Sequence, residues 1–223
     1  MQLLWPSQCK LRILTWLVIL LIPTLLLGDI TKPTHLNYRG FIIDESRTLE
    51  MTNFEAALTA TKGQIDIVCA VGVPARMLSF FKSQTIHLVQ GGKTQFMGGD
   101  YSFKTKMVNI SSEYILMYPH KPVLLHELLH AFHDQRLPGG FENLRIKTFY
   151  EHAKSLNVYA ADSHMMSNVK EFFACSGTTY LYGVTAQEPF NREKIKDSQP
   201  IYFNYLKTLF GPNAGNYAGS LTP

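Results

Sequence analysis

The stretch His126-Glu127-Leu128-Leu129-His130 decides how the rest of the chain is read, because it sets three residues with metal-site chemistry at a spacing that geometry can use. Residues four apart share one face of an α-helix, so both imidazoles can point at one ion. Glu127 lies one residue round and can reach a water at that ion without being a ligand. The neighbours favour a helix: Leu124, Leu125, Leu128, Leu129 and Phe132 gather on one side, and His126, Glu127, His130 and Asp134 on the other. Pro122 suits the first turn, and Leu137-Pro138-Gly139-Gly140 supplies the stop.

A catalytic zinc needs a third protein ligand and an open position for water. His133 shares the face but stands about 10 Å along the axis from His126, too far for one ion. The longer pattern with Gly and His three and six residues past His130 fails, since His133 and Arg136 occupy those positions. Glu151, His152 and Asp162 read as residues of a solvated helix face or loop. Glu171 differs, because it precedes two rings and a small residue in Glu171-Phe172-Phe173-Ala174. A carboxylate beside such apolar bulk is costly to bury without a cation or a metal.

Those residues carry a resemblance. A histidine pair with an intervening glutamate, followed some way on by Glu-Phe-Phe-Ala, resembles the anthrax lethal factor-like peptidases, a family that includes secreted Pro-Pro endopeptidases. The likeness covers roughly residues 45 to 185. It implies a zincin-like fold, one Zn2+ per chain, and Glu171 as the third ligand beside His126 and His130. The family usually has a tyrosine seven residues before the ligand glutamate, where it helps to hold the oxyanion; this chain has His164 there. Histidine can also donate a hydrogen bond to an oxyanion, with a pH dependence that tyrosine lacks. The family motif tends to continue with an acidic residue, whereas here Cys175 follows, one helical turn from Glu171. Cys175 reads first as a neutral core cysteine, and second as a thiol that supports or regulates the site. Proline preference depends on pocket residues outside the two motifs and is not carried over.

The N-terminal segment needs separate treatment. Lys10 and Arg12 precede an uninterrupted apolar run from Ile13 to Leu27, followed by Gly28 and Asp29. That pattern predicts a signal peptide over residues 1–28, or an uncleaved N-terminal anchor through residues 13–27. Either places the bulk of the chain in a secreted, periplasmic or extracellular setting, with contact to a membrane only through that segment. Of the 21 Lys and Arg in the chain, 19 remain beyond it against 17 acidic residues. So small an excess argues against a nucleic-acid partner. Cys69 and Cys175 can pair in an oxidising compartment or remain free thiols.

Residues 29–223 read as one domain, since no repeat or Pro/Gly/Ser-rich linker divides them, and the 46% hydrophobic content is enough for a real core. Asp29–Asn37 reads as an irregular lead-in. Helices are predicted over 48–62, with Leu49, Phe54, Ala57 and Leu58 on one face, over 75–82, and over 141–156, with Leu144, Thr148 and Ala153 towards the core. Two more are predicted over 167–182 and 201–210. Strands are predicted over 65–71, 85–90 and 104–110, with a short extended piece over 114–118. Residues 91–99 form a glycine-rich loop that lacks the Gly-Lys-Ser/Thr ending of a phosphate cradle. The expected fold is α+β, a small mixed sheet packed on the His126–His130 helix and followed by a helical half that carries Glu171.

The expected activity is that of an exported zinc endopeptidase acting on a peptide or protein substrate. Glu127 serves as general base, and the substrate lies along an outer strand, for which Lys104–Ile110 is the candidate. Asn109-Ile110-Ser111 spells a glycosylation sequon, which a docked substrate would contradict. Two other classes compete: a zincin-fold binding module that keeps zinc without efficient catalysis, and a metal-free exported structural protein.

Overall fold

Arg39 and Gly40 both have positive φ, 52° and 84°, as a two-residue hairpin turn matched to strand twist requires. They join β1 (His35–Tyr38) to its antiparallel neighbour β2 (Phe41–Asp44), whose Phe41 and Ile43 enter the core. The computed structural model of the chain describes residues 35–48, 51–91 and 98–220. The leader, Leu49 and most of the loop 91–99 lie outside the described residues.

Helices α1 (Phe54–Ala70) and α2 (Ala75–Lys82) lead to β3 (Ile86–Val89). Strands β4 (Gly99–Ser102) and β5 (Met107–Ser111) follow, then α3 (Ser112–Met117) and α4 (Val123–Arg136). The second half is helical: α5 (Leu144–Ser155), α6 (Val169–Tyr182), α7 (Arg192–Ser198) and α8 (Pro200–Phe210). The strand order is β1-β2-β3-β5-β4. The three inner strands are parallel, and each edge strand is antiparallel to its neighbour. The architecture is thus α+β, with residues 33–223 clustering as one compact unit. Among the described residues no helix is long and apolar enough to cross a membrane.

Helix α4 is the hub. Leu124, Leu125, Leu128 and Leu129 are fully buried, and the helix packs on β4, β5, α1 and α6. Its start is fixed by Gln64 of α1, whose Nε2 donates to the carbonyls of Pro119 and Lys121 at 2.7 and 2.8 Å while its Oε1 accepts from the Leu124 N–H at 3.2 Å. Its end is tied to the sheet edge, where Tyr101 Oη and Lys106 Nζ both donate to Asp134.

Several expectations need correction. The strand over 65–71 is the second half of α1, and the helix expected over 48–62 starts only at Phe54. Ile65 and Val68 extend the buried stripe of Phe54, Ala57, Leu58 and Thr61. Gly63 interrupts nothing because it faces open space, and a single exposed helical Gly costs only about 1 kcal/mol. The extended piece over 114–118 is mostly α3, which Ser111 caps by accepting from the Tyr114 N–H at 3.3 Å. The strand over 104–110 begins at Met107, and β5 is an inner strand; the outer one is β4. In α5 the core face is Ile146, Tyr150 and Ala153, while Leu144 is 78% exposed and Thr148 also faces solvent. Asn143 accepts from the Ile146 N–H and caps a helix that starts three residues later than expected, at Leu144, which changes the phase of its apolar stripe.

Candidate metal centre

The centre forms where α4 meets α6 and the short 3-10 segment His164–Ser167. One turn of α4 carries His126 and His130, whose Nε2 atoms are 3.1 Å apart. Glu171 faces them from the first turn of α6. Asn168 caps that helix by accepting from the N–H groups of Lys170 and Glu171. The carboxylate of Glu171 therefore sits three residues past the cap, where the helix end favours negative charge. Its Oε2 is 3.2 Å from His126 Nε2, 3.3 Å from His130 Nε2 and 2.9 Å from His164 Nε2.

These spacings test whether an ion fits. A four-coordinate ion with bonds of about 2.0–2.1 Å holds its ligand atoms about 3.3 Å apart, and His126, His130 and Glu171 form a triangle with edges of 3.1, 3.2 and 3.3 Å. Glu171 Oε2 is buried and, despite its three neighbours, has no well-formed hydrogen bond among the described residues. Nitrogen and oxygen atoms gathered at mutual distances that one ion can span are what a cation site requires. The His/His/Glu/Cys group of His126, His164, Glu171 and Cys175, with all four donor atoms within 4.8 Å of one another, can hold a metal ion.

Charge follows the same layout. Burial would raise the Glu171 carboxyl, but the imidazoles of His126, His130 and His164 outweigh it and hold the group far below the carboxylate range. Burial opposes charging His126, yet Cys175 and Glu171 keep its imidazole well above the usual value. His130, beside that charge, is lowered by burial. Glu127 is only 5% exposed. Burial pushes its carboxyl up to about 7, with His126 pulling down and Glu171 and Asp100 pushing further up. A group titrating there can both take and return a proton near neutrality.

No family model, curated protein or solved structure matches the chain.

The structure thus brings together His126, His130, Glu171 and His164, with Glu127 beside them along a cleft of about 470 Å³. His164 stands against the Glu171 carboxylate and is 42% exposed on its side chain; Tyr150, donating to the Met166 carbonyl at 3.0 Å, anchors its segment. His133 lies between Phe141 and Phe173, with ring centroids 5.3 and 4.9 Å away, outside the ligand group. Glu151, His152 and Asp162 are exposed. Cys69 and Cys175 are both free thiols.

Two contributors, Gln64 and Gly99, could not be assigned from sequence. Gln64 leaves no local signal, because its partners are distant backbone groups. Gly99 on β4 lets the edge strand close over Glu127: a Cβ there would be 2.7 Å from Glu127 Cγ. Cys175 does carry a signal, its spacing of one turn from Glu171.

Proposed function

We propose that the chain is an exported zinc endopeptidase with a zincin-like fold, akin to the lethal factor-like peptidases. The triangle of His126, His130 and Glu171 beside a buried Glu127 is the observation that carries this reading. Those three residues would hold the ion; two neutral imidazoles and one carboxylate favour zinc over the harder divalent cations, which prefer all-oxygen sites. When bound, zinc supplies Lewis acidity to a water and to the scissile carbonyl.

The chain's own residues do the rest. Glu127 takes a proton from the attacking water and returns it to the leaving nitrogen as the C–N bond breaks. His164, a part-exposed lining residue of the cleft, donates to the developing oxyanion. The outer strand β4, rather than the inner β5, offers free backbone groups on which an extended peptide can add as a further strand. Gly99 keeps that edge close to Glu127. This assignment also removes the sequon conflict from the docking edge: Ser111 is buried and caps α3, and Asn109 lies on the inner strand.

A second reading, a module that retains zinc without efficient catalysis, is favoured by His164 Nε2 lying 2.9 Å from Glu171 Oε2 rather than across the cleft. Zinc content of the purified chain and of Glu171→Ala, together with cleavage of a peptide library by the chain and by Glu127→Ala, tests both. The peptidase reading expects about one zinc per chain, lost in Glu171→Ala, and cleavage that disappears in Glu127→Ala while zinc stays. Zinc without Glu127-dependent cleavage selects the binding module. A chain that takes up no zinc even after supplementation overturns both.

A further inference from the structure

Ligand chemistry around Glu171 exceeds what a three-ligand centre uses. Cys175 stands one turn further along α6, is 3% exposed, and places its sulfur within 4.8 Å of the donor atoms of His126, His164 and Glu171. Its polar contacts are a long one from Gln187 Nε2 at 3.9 Å and one with the His126 imidazole. A cysteine that merely filled the core would face apolar neighbours; this one faces two imidazoles and a carboxylate.

We propose that Cys175 is itself a ligand of the ion, completing with His126, His164 and Glu171 a four-donor set that closes the centre. The proposal rests on the zinc reading above and adds a regulated state to it. Two donor sets share His126 and Glu171. One adds His130 and leaves a fourth position for water; the other adds His164 and Cys175 and leaves none. A thiolate bond of about 2.3 Å and an imidazole bond of about 2.0–2.1 Å put sulfur and nitrogen about 3.5 Å apart on one ion. Side-chain shifts on the order of 1 Å therefore bring all four donors into range. His164 is 42% exposed on a short 3-10 segment at the rim of the centre, whereas Cys175 is buried inside α6. Ligation breaks the S–H bond, forms the sulfur–metal bond and releases one proton to solvent, with no change of oxidation state. In the closed set His164 is a ligand; in the open set it is free to meet substrate.

Cobalt(II) reports on this directly, because thiolate ligation gives a near-ultraviolet charge-transfer band that nitrogen and oxygen ligands do not. The full chain is stripped with chelator and titrated with Co2+ as wild type, Cys175→Ser and Cys175→Ala, with proton release followed in weakly buffered solution. The expected result is about one cobalt per chain with the band in wild type, and cobalt without the band in either variant, which also releases about one proton fewer. Cobalt bound to wild type without the band overturns the proposal and leaves the His126/His130/Glu171 centre standing. A band that survives both substitutions comes from another thiol and overturns the proposal equally. Failure of wild type to bind cobalt at all is a separate outcome, overturning the zinc reading and this proposal together. If both variants misfold, a wild-type spectrum without the band still overturns the proposal.

Discussion

Helices α4 and α6 face each other across the centre and are held by opposite means. Helix α4 is pinned at its ends by directional contacts, Gln64 at its start and the Tyr101–Asp134–Lys106 group near its finish. Helix α6 is buried at every position from Phe172 to Tyr182 and is held by volume, with Gly177 letting Leu129 and Phe210 come close. The helix that carries Glu127 is therefore tuned by a few polar atoms, and the helix that carries Glu171 by packing. One consequence is a different sensitivity to single polar substitutions on the two sides.

The sharpest break exchanges the two glutamates for their amides. Glu127→Gln on α4 should lower turnover by about 10²–10⁴-fold with zinc retained, whereas Glu171→Gln on α6 should lower zinc content; equal zinc loss in both would erase the division of labour. Next in size, Gln64→Leu removes three hydrogen bonds and leaves the Pro119 carbonyl and the Leu124 N–H without their side-chain partner, while the Lys121 carbonyl keeps the Val123 N–H at 2.8 Å. It should cost about 3 kcal/mol in denaturant unfolding, and a cost below about 1 kcal/mol would show that α4 is not pinned there.

His133 lies at the seam between the helices, fully buried, with neither ring nitrogen hydrogen-bonded among the described residues. Burial lowers its imidazole to about 4 from an ordinary 6.5. As pH falls from 6.5 to 4 the unfolded chain takes the proton and the folded chain refuses it, so folding stability drops through that window by up to roughly 3 kcal/mol. His133→Leu should flatten this part of the stability–pH curve while changing stability little at pH 7.5; an unchanged slope would clear His133 of the effect. The smallest expected effect is Asn168→Ala, the lost cap of α6. It should cost about 1 kcal/mol with zinc content intact, and a large loss of zinc would mean that α6 is positioned by its cap after all.

The same division explains what could be read from the sequence. Helices α4 and α8 carry a continuous apolar stripe and α6 is a run of rings and small residues, so these elements were legible, and with them the positions of His126, Glu127, His130 and Glu171. Ile65 to Val71 was not, because its β-branched run has strand propensity, and only the stripe continued from Phe54 through Thr61 makes it helix. Strand β4 has the unpromising sequence Gly-Asp-Tyr-Ser and exists through its pairing with β5. The hairpin at Arg39-Gly40 shows itself only in the sign of φ. Of the centre, the donors were visible as motifs, while Gln64, Gly99 and the Tyr101–Asp134 contact depend on distant partners that no local pattern encodes.

The donors of α4 and α6 also stand on either side of the chain segment 137–168, which includes all of α5. An ion bridging them closes that segment into a loop, much as a cross-link would, and lowers the entropy that the chain gains by letting α6 swing away. Loss of the ion and opening of the molecule are then one event observed from two sides. A chelator should act on this protein as a loosening agent as well as an inhibitor, exposing the α5 region to proteases that the loaded form resists.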